Sequence, residues 1–147
     1  MTARNPWIRP MLLVAVAYPV IGIVTAELSS VASSPRMSTV WRLSAWVLSL
    51  IAFVSHVLYE QFRLRSGVRA GATHVAMAVA LGAFLLAAAG PVRSHWGAAD
   101  FWRVAVLSLP LWPILTGVPA FLAALVGGAV LKRLARGEHP ATPNGLA

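Results

Sequence analysis

Charge is what this chain has least of. Asp, Glu, Lys and Arg make up 11% of its 147 residues, and only 4 are acidic. Soluble domains carry about 25% charged residues, and so sparse a set could not cover the surface of a soluble domain of this length. Cysteine is absent, which excludes thiolate metal sites, disulfides and thiol catalysis. Nucleotide-binding GxxxxGK[ST], zinc-protease HExxH, GxSxG and CxxC patterns are missing as well, leaving no motif of a soluble catalytic domain. What is present is apolar: 59% hydrophobic residues and a mean hydropathy of +0.75. That balance rules out a disordered chain, a disulfide-stapled module and an ordinary soluble domain. It places the sequence among integral membrane proteins.

Four apolar segments stand out. The hydropathy pattern predicts an all-α, four-helix transmembrane bundle of two hairpins within a single domain, residues 1–136. Its spans lie at about 11–28, 43–60, 73–91 and 111–134, followed by a disordered cytoplasmic tail, 137–147, that holds His139. The fourth apolar stretch is too long for one simple span. A helix from Trp102 to Leu134 would measure about 50 Å against a hydrocarbon core of about 30 Å. Pro110 and Pro113 therefore predict a break between a short interfacial helix over 98–109 and the span proper. One competing reading takes the first segment as a signal peptide cleaved after Ala26, because Arg4, Arg9, an apolar run and Val24-Thr25-Ala26 fit that pattern. Retention is expected, since four spans pair into two complete hairpins and Pro19 is awkward inside a signal sequence.

The net charge of +8 comes from 12 basic residues, all Arg but Lys132. They flank the apolar segments and form no patch with interleaved aromatics, so nucleic acid is not the expected partner; the headgroup layer is. Arg4, Arg9, Arg63, Arg65, Arg69, Lys132, Arg133 and Arg136 fall on one side, and Arg36, Arg42, Arg93 and Arg103 on the other. The excess predicts both termini in the cytoplasm, with Trp41, Trp96 and Trp102 at the outer interface. The Arg- and Ala-rich, Lys-poor usage looks like that of a GC-rich bacterial genome, so the expected location is a bacterial inner membrane.

The second segment carries the clearest chemical pattern. Arg42, Ser49, His56 and Arg63 recur every seven residues, and Glu60 follows His56 by four. They share one helical face, a polar stripe that is expected to look inward because an unpaired polar group in hydrocarbon costs several kcal/mol. Glu60 alone reads as a helix-end partner for Arg63 or Arg65, and His74 as an interfacial histidine. His56, Glu60 and His74 nevertheless lie at similar depth near the cytoplasmic face, and if the second and third spans face each other the three converge, the one constellation with chemical promise. The other spans are marked by small residues. Ala76, Ala80, Ala83, Ala87 and Gly90 form a packing seam on the third, Ala78, Gly82 and Ala89 lie on its other side, and Gly117, Ala120, Ala124, Gly127 and Gly128 recur on the fourth. Such seams let helices approach closely.

Three functions follow as expectations. The first is an accessory subunit or assembly factor acting through helix packing on a partner membrane protein or on copies of itself, with no cofactor and no catalytic residues. The second is a homo-oligomeric small transporter or channel using Arg42, Ser49, His56 and Glu60, with His56 as the proton-responsive group, because histidine changes charge near neutral pH. The third is a redox subunit that holds haem b or a quinone, with His56 and His74 as the haem ligands.

Overall fold

The structure, a computed structural model, describes the backbone of residues 6–93 and 101–137, and side chains over 6–89 and 106–135. Expectations for Arg4, Gly90, Arg93, Trp96, Trp102, Arg103, Arg136 and His139 fall outside the described side chains. The described residues are helical, without a strand: α1 (Ile8–Ser30), α2 (Pro35–Leu58) with a π-helical turn (Tyr59–Arg63), α3 (Val68–Arg93) and α4 (Phe101–Gly137). All four helices are long and apolar enough to cross a membrane.

α2 begins eight residues earlier than hydropathy suggests. Ser34 has extended backbone, and its hydroxyl accepts from Met37 N–H at 3.3 Å, with Pro35 in the first helical turn. A serine cap followed by proline is a strong start signal, because proline lacks a donor that the first turn could not use. The hairpin between α1 and α2 is tied by the Ser29 and Ser38 hydroxyls, 2.7 Å apart.

α4 corrects the expected break. The helix runs unbroken from Phe101 to Gly137 through Pro110, Pro113 and Pro119, so no separate interfacial helix precedes the span. Each proline removes a donor, from the carbonyls of Val106, Leu109 and Leu115 in turn. Helices in membranes tolerate this where neighbours and hydroxyls support the backbone. Thr116 Oγ1 donates to the Trp112 carbonyl at 2.8 Å in this stretch, and the Gly117, Ala120, Ala124 and Gly128 face is buried.

α1 packs against both α2 and α3, and α3 against both α1 and α4, whereas α2 meets α3 and α4 only sparsely. The helices thus follow the order α2–α1–α3–α4. Small residues make the inner contacts close. On one side of α3, a Cβ on Gly117 of α4 would lie 3.1 Å from Ala80 Cβ. On the other, a Cβ on Gly82 would lie 2.9 Å from Tyr18 Cβ and 3.0 Å from the Ala15 carbonyl oxygen. That carbonyl is the one deprived of its helical donor by Pro19. Gly82 therefore brings α3 onto α1 where the α1 backbone has a spare acceptor.

The hydrophobic core lies at one end, where Val57 of α2, Ala72 and Val75 of α3 and Ala124 of α4 are buried together against Phe53, Phe121, Leu125 and Leu131. Elsewhere α2 presents Trp46, Leu50, Ile51 and Val54 outward, the face expected to meet lipid or a partner. Gly82→Ala should destabilise the protein by about 1–3 kcal/mol, because neither the backbone oxygen nor Tyr18 Cβ can move aside cheaply. Gly127→Ala, whose Cβ meets nothing within 4 Å, should be neutral or slightly stabilising. Thermal unfolding in detergent compares the two.

Candidate functional site

Glu60 is the second residue of the π-helical turn that ends α2, and among the described residues it is the largest fully buried side chain, 1% exposed. The wide turn is closed by Leu64 N–H to the Tyr59 carbonyl at 3.2 Å, a bond spanning five residues. Isolated π turns of this kind occur most often at functional sites. Ser66 N–H then bonds the Glu60 carbonyl at 3.1 Å, which pins the backbone of Glu60 to the loop behind it. Gln61, the next residue, is wedged between helices: a Cβ on Gly128 of α4 would lie 2.7 Å from Gln61 Nε2, and one on Gly71 of α3 3.5 Å from it. Glycine at 128 thus leaves the space that the turn needs.

Two histidines face the Glu60 carboxyl group. His74 of α3 places Nδ1 3.1 Å from Oε2, within hydrogen-bonding distance. His56, one turn earlier on α2, places Nε2 3.7 Å from Oε1, close enough for ionic attraction but not for a hydrogen bond. His56 is 2% exposed. The far side of the His74 ring is covered by Trp7, stacked with centroids 4.3 Å apart and planes 3° from parallel. Trp7 caps the start of α1, so α1, α2 and α3 contribute to the cluster and the core shared with α4 underlies it.

The arrangement leaves hydrogen-bonding capacity unused. Among the described residues, the buried side-chain atoms without a hydrogen-bond partner are Tyr18 OH, both ring nitrogens of His56, and Glu60 Oε1. All but the first belong to this cluster. A buried polar group without a partner costs roughly 1–3 kcal/mol, so this concentration marks the place where the fold trades stability for chemistry. The proton between Glu60 and His74 has two possible owners. Either the imidazole N–H donates to a carboxylate, or a carboxylic acid donates to the imidazole nitrogen. His56 adds a third site within reach of the same carboxyl group. Among the described residues no group of three His, Cys, Asp or Glu is arranged to hold a metal ion.

The remaining residues singled out in the sequence lie apart from this cluster. Arg42 is exposed and Ser49 half-buried. Along the helix axis Arg42 is about 27 Å from Glu60 at 1.5 Å per residue. Arg42 lines a groove of about 430 Å³ with Ser29, Ser30, Thr25 and Trp46 at the hairpin end. The polar stripe therefore faces inward only over its last turn, because α2 leans on α1 along its length and reaches α3 and α4 at one end. Ala76 and Ala80 lie at the α4 contact, where Gly117 approaches them, while Ala83 and Ala87 are half-buried. Pro110 and Pro113 lie within the unbroken α4. Glu60 corrects the reading of it as an arginine's helix-end partner: the carboxyl group turns inward to His74, and among the described residues no arginine pairs with it. The meeting of His56, Glu60 and His74 is the convergence expected if the second and third spans face each other, whereas the places of Trp7 and Gln61 went unforeseen. The one usable signal was that Glu60 and His74 flank the same short loop at comparable distances.

His74→Ala leaves the buried Glu60 carboxyl group without its hydrogen-bond partner and should cost about 3–5 kcal/mol. In a Glu60→Gln background, where no charge is left stranded, the same change should cost only about 1–2 kcal/mol. A double-mutant cycle read by unfolding in detergent measures the difference, and additive costs would show the two residues to be uncoupled. Comparison of the chain with protein-family models, curated proteins and solved structures found no match.

Proposed function

We propose that this protein is a small proton-linked membrane transporter or channel, working as an assembly of copies, in which His56, Glu60 and His74 form the proton-binding site. The observation that carries the reading is a carboxyl group 1% exposed inside a bundle of spanning helices, with imidazoles 3.1 Å and 3.7 Å away. An ionisable group at such a place is expensive to keep and is retained for ion or proton movement by default. Protonation changes the charge that the surrounding helices must accommodate. The contacts that would have to adjust are close and built of small residues, which makes them sensitive to small shifts. Four helices in the order α2–α1–α3–α4 enclose no path by themselves, so a second copy is needed to complete one.

The basic residues Arg9, Arg63, Arg65, Arg69, Lys132 and Arg133 gather at the end of the bundle that holds the cluster. The positive-inside rule then puts this end in the cytoplasm of a bacterial inner membrane, with both termini on that side.

A second reading is supported by a different observation. No residue in the most apolar stretch of α2 is fully buried within the chain, and its Trp46, Leu50 and Val54 face outward. A partner membrane protein seated there would make this chain an accessory subunit or assembly factor. A redox subunit has less support: the Glu60 carboxyl group lies between the imidazoles of His56 and His74, and Trp7 covers the second ring, which leaves no flat space for haem between the two.

Purified protein in vesicles loaded with a pH-sensitive dye should pass protons when a gradient is imposed. Glu60→Gln should reduce the rate to that of protein-free vesicles, and Arg36→Gln, on the exposed hairpin end, should leave it unchanged. Flux that persists in Glu60→Gln removes the cluster from transport. Absence of flux in the wild-type protein favours the accessory reading.

A further inference from the structure

The loop that joins α2 to α3 faces the last turns of α4 across a cavity of about 260 Å³. Arg65 and Ser66 border it from the loop, Phe62 from the π-helical turn, and Leu131 and Lys132 from α4. Two cations from separate elements thus meet at one concavity, and among the described residues no carboxylate lines it. Arg65 is not free to wander. It has φ of +50°, the left-handed region that long side chains seldom enter. The bonds from Leu64 N–H to the Tyr59 carbonyl and from Ser66 N–H to the Glu60 carbonyl close the backbone on either side of it. The direction in which Arg65 leaves the chain is therefore set by the fold.

The walls differ in polarity. Arg65, Ser66 and Lys132 supply charge and a hydroxyl, while Phe62, 62% exposed, and Leu131 supply apolar surface. The cavity lies where the spans end, so its polar side belongs at headgroup level and its apolar side toward the hydrocarbon. Arg9, Arg63, Arg69 and Arg133 are at the same end and add to the positive field. Acidic lipids are the anions concentrated next to such a surface, and basic pockets between spanning helices bind their headgroups.

We propose that this cavity is a binding site for an acidic phospholipid. Arg65 and Lys132 hold the phosphodiester, Ser66 donates a hydrogen bond to it, and Phe62 and Leu131 cover the first carbons of an acyl chain. Two cations at the phosphate repel the ammonium group of a zwitterionic lipid, so the site discriminates by net charge. The inference does not depend on proton transport, and its readout is lipid retention.

Full-length protein in mild detergent is titrated with phosphatidylglycerol or phosphatidylcholine and the complexes are counted by native mass spectrometry. One phosphatidylglycerol should bind tightly and phosphatidylcholine weakly. Arg65→Gln with Lys132→Gln should weaken phosphatidylglycerol about 25-fold, about fivefold for each cation removed. Arg9→Gln with Arg133→Gln removes as much charge from the same end outside the cavity and should change binding far less. Arg65→Lys with Lys132→Arg keeps both charges and should retain most of it, which separates lost recognition from lost folding. Excess inorganic phosphate should not displace the lipid. Equal binding of phosphatidylcholine, an equal loss in the Arg9 and Arg133 variant, or loss in the charge-retaining variant as large as in the glutamine variant would overturn the site. Displacement by inorganic phosphate would show a site for a soluble anion instead.

Discussion

A carboxyl group enclosed at the end of a spanning bundle is the constraint on which the rest of this structure turns. Glu60 cannot reach water, and an isolated carboxylate in such surroundings costs far more than a domain's whole stability. The fold answers with His74 on one oxygen and His56 near the other. That answer has consequences beyond the pair. α2, which otherwise leans only on α1, must reach α3 at this end. The π-helical turn, the wedge of Gln61 against Gly71 and Gly128, and the Trp7 ring stacked on His74 all serve to close the enclosure.

The small residues of α3 and α4 set where that enclosure can form. Between helices in lipid there is little hydrophobic driving force, and close packing has to supply the attraction. Gly82 against Ala15 and Tyr18, and Gly117 against Ala80, draw α1, α3 and α4 together, which fixes the height at which His74 is held. Pro19 contributes by freeing the Ala15 carbonyl at the closest point. Among the described residues the unspent hydrogen-bonding capacity lies in the cluster and at Tyr18, which itself packs against Gly82.

The helices were legible in the sequence because hydropathy over some twenty residues follows directly from the thickness of a bilayer. Their ends were less so. Arg36 and Arg42 lower the hydropathy of the first turns of α2 and hide a helix that Ser34 and Pro35 announce by capping chemistry. In α4 the local penalty of Pro110 and Pro113 suggested a break, but packing along α3 outweighs it. The histidines and Glu60 could be placed at a common depth from spacing alone. Their pairing could not, because the local rule that joins Glu60 to a nearby arginine competes with a contact across fourteen residues that exists only once α3 has folded back. His56 and Glu60 were recognisable as ionisable groups inside a span; that His74, rather than Arg42 or Ser49, completes their site is a product of the tertiary fold.

The central claim is that Glu60 and the two histidines bind protons as one unit. Infrared difference spectroscopy between high and low pH tests it most directly, because a buried carboxylic acid gives a carbonyl stretch separate from the amide bands. The account requires a carboxyl band that disappears in Glu60→Gln and moves its pH midpoint when His74 is replaced by asparagine. A carboxyl signal that ignores the loss of His74, or the absence of any band that depends on Glu60, would contradict it.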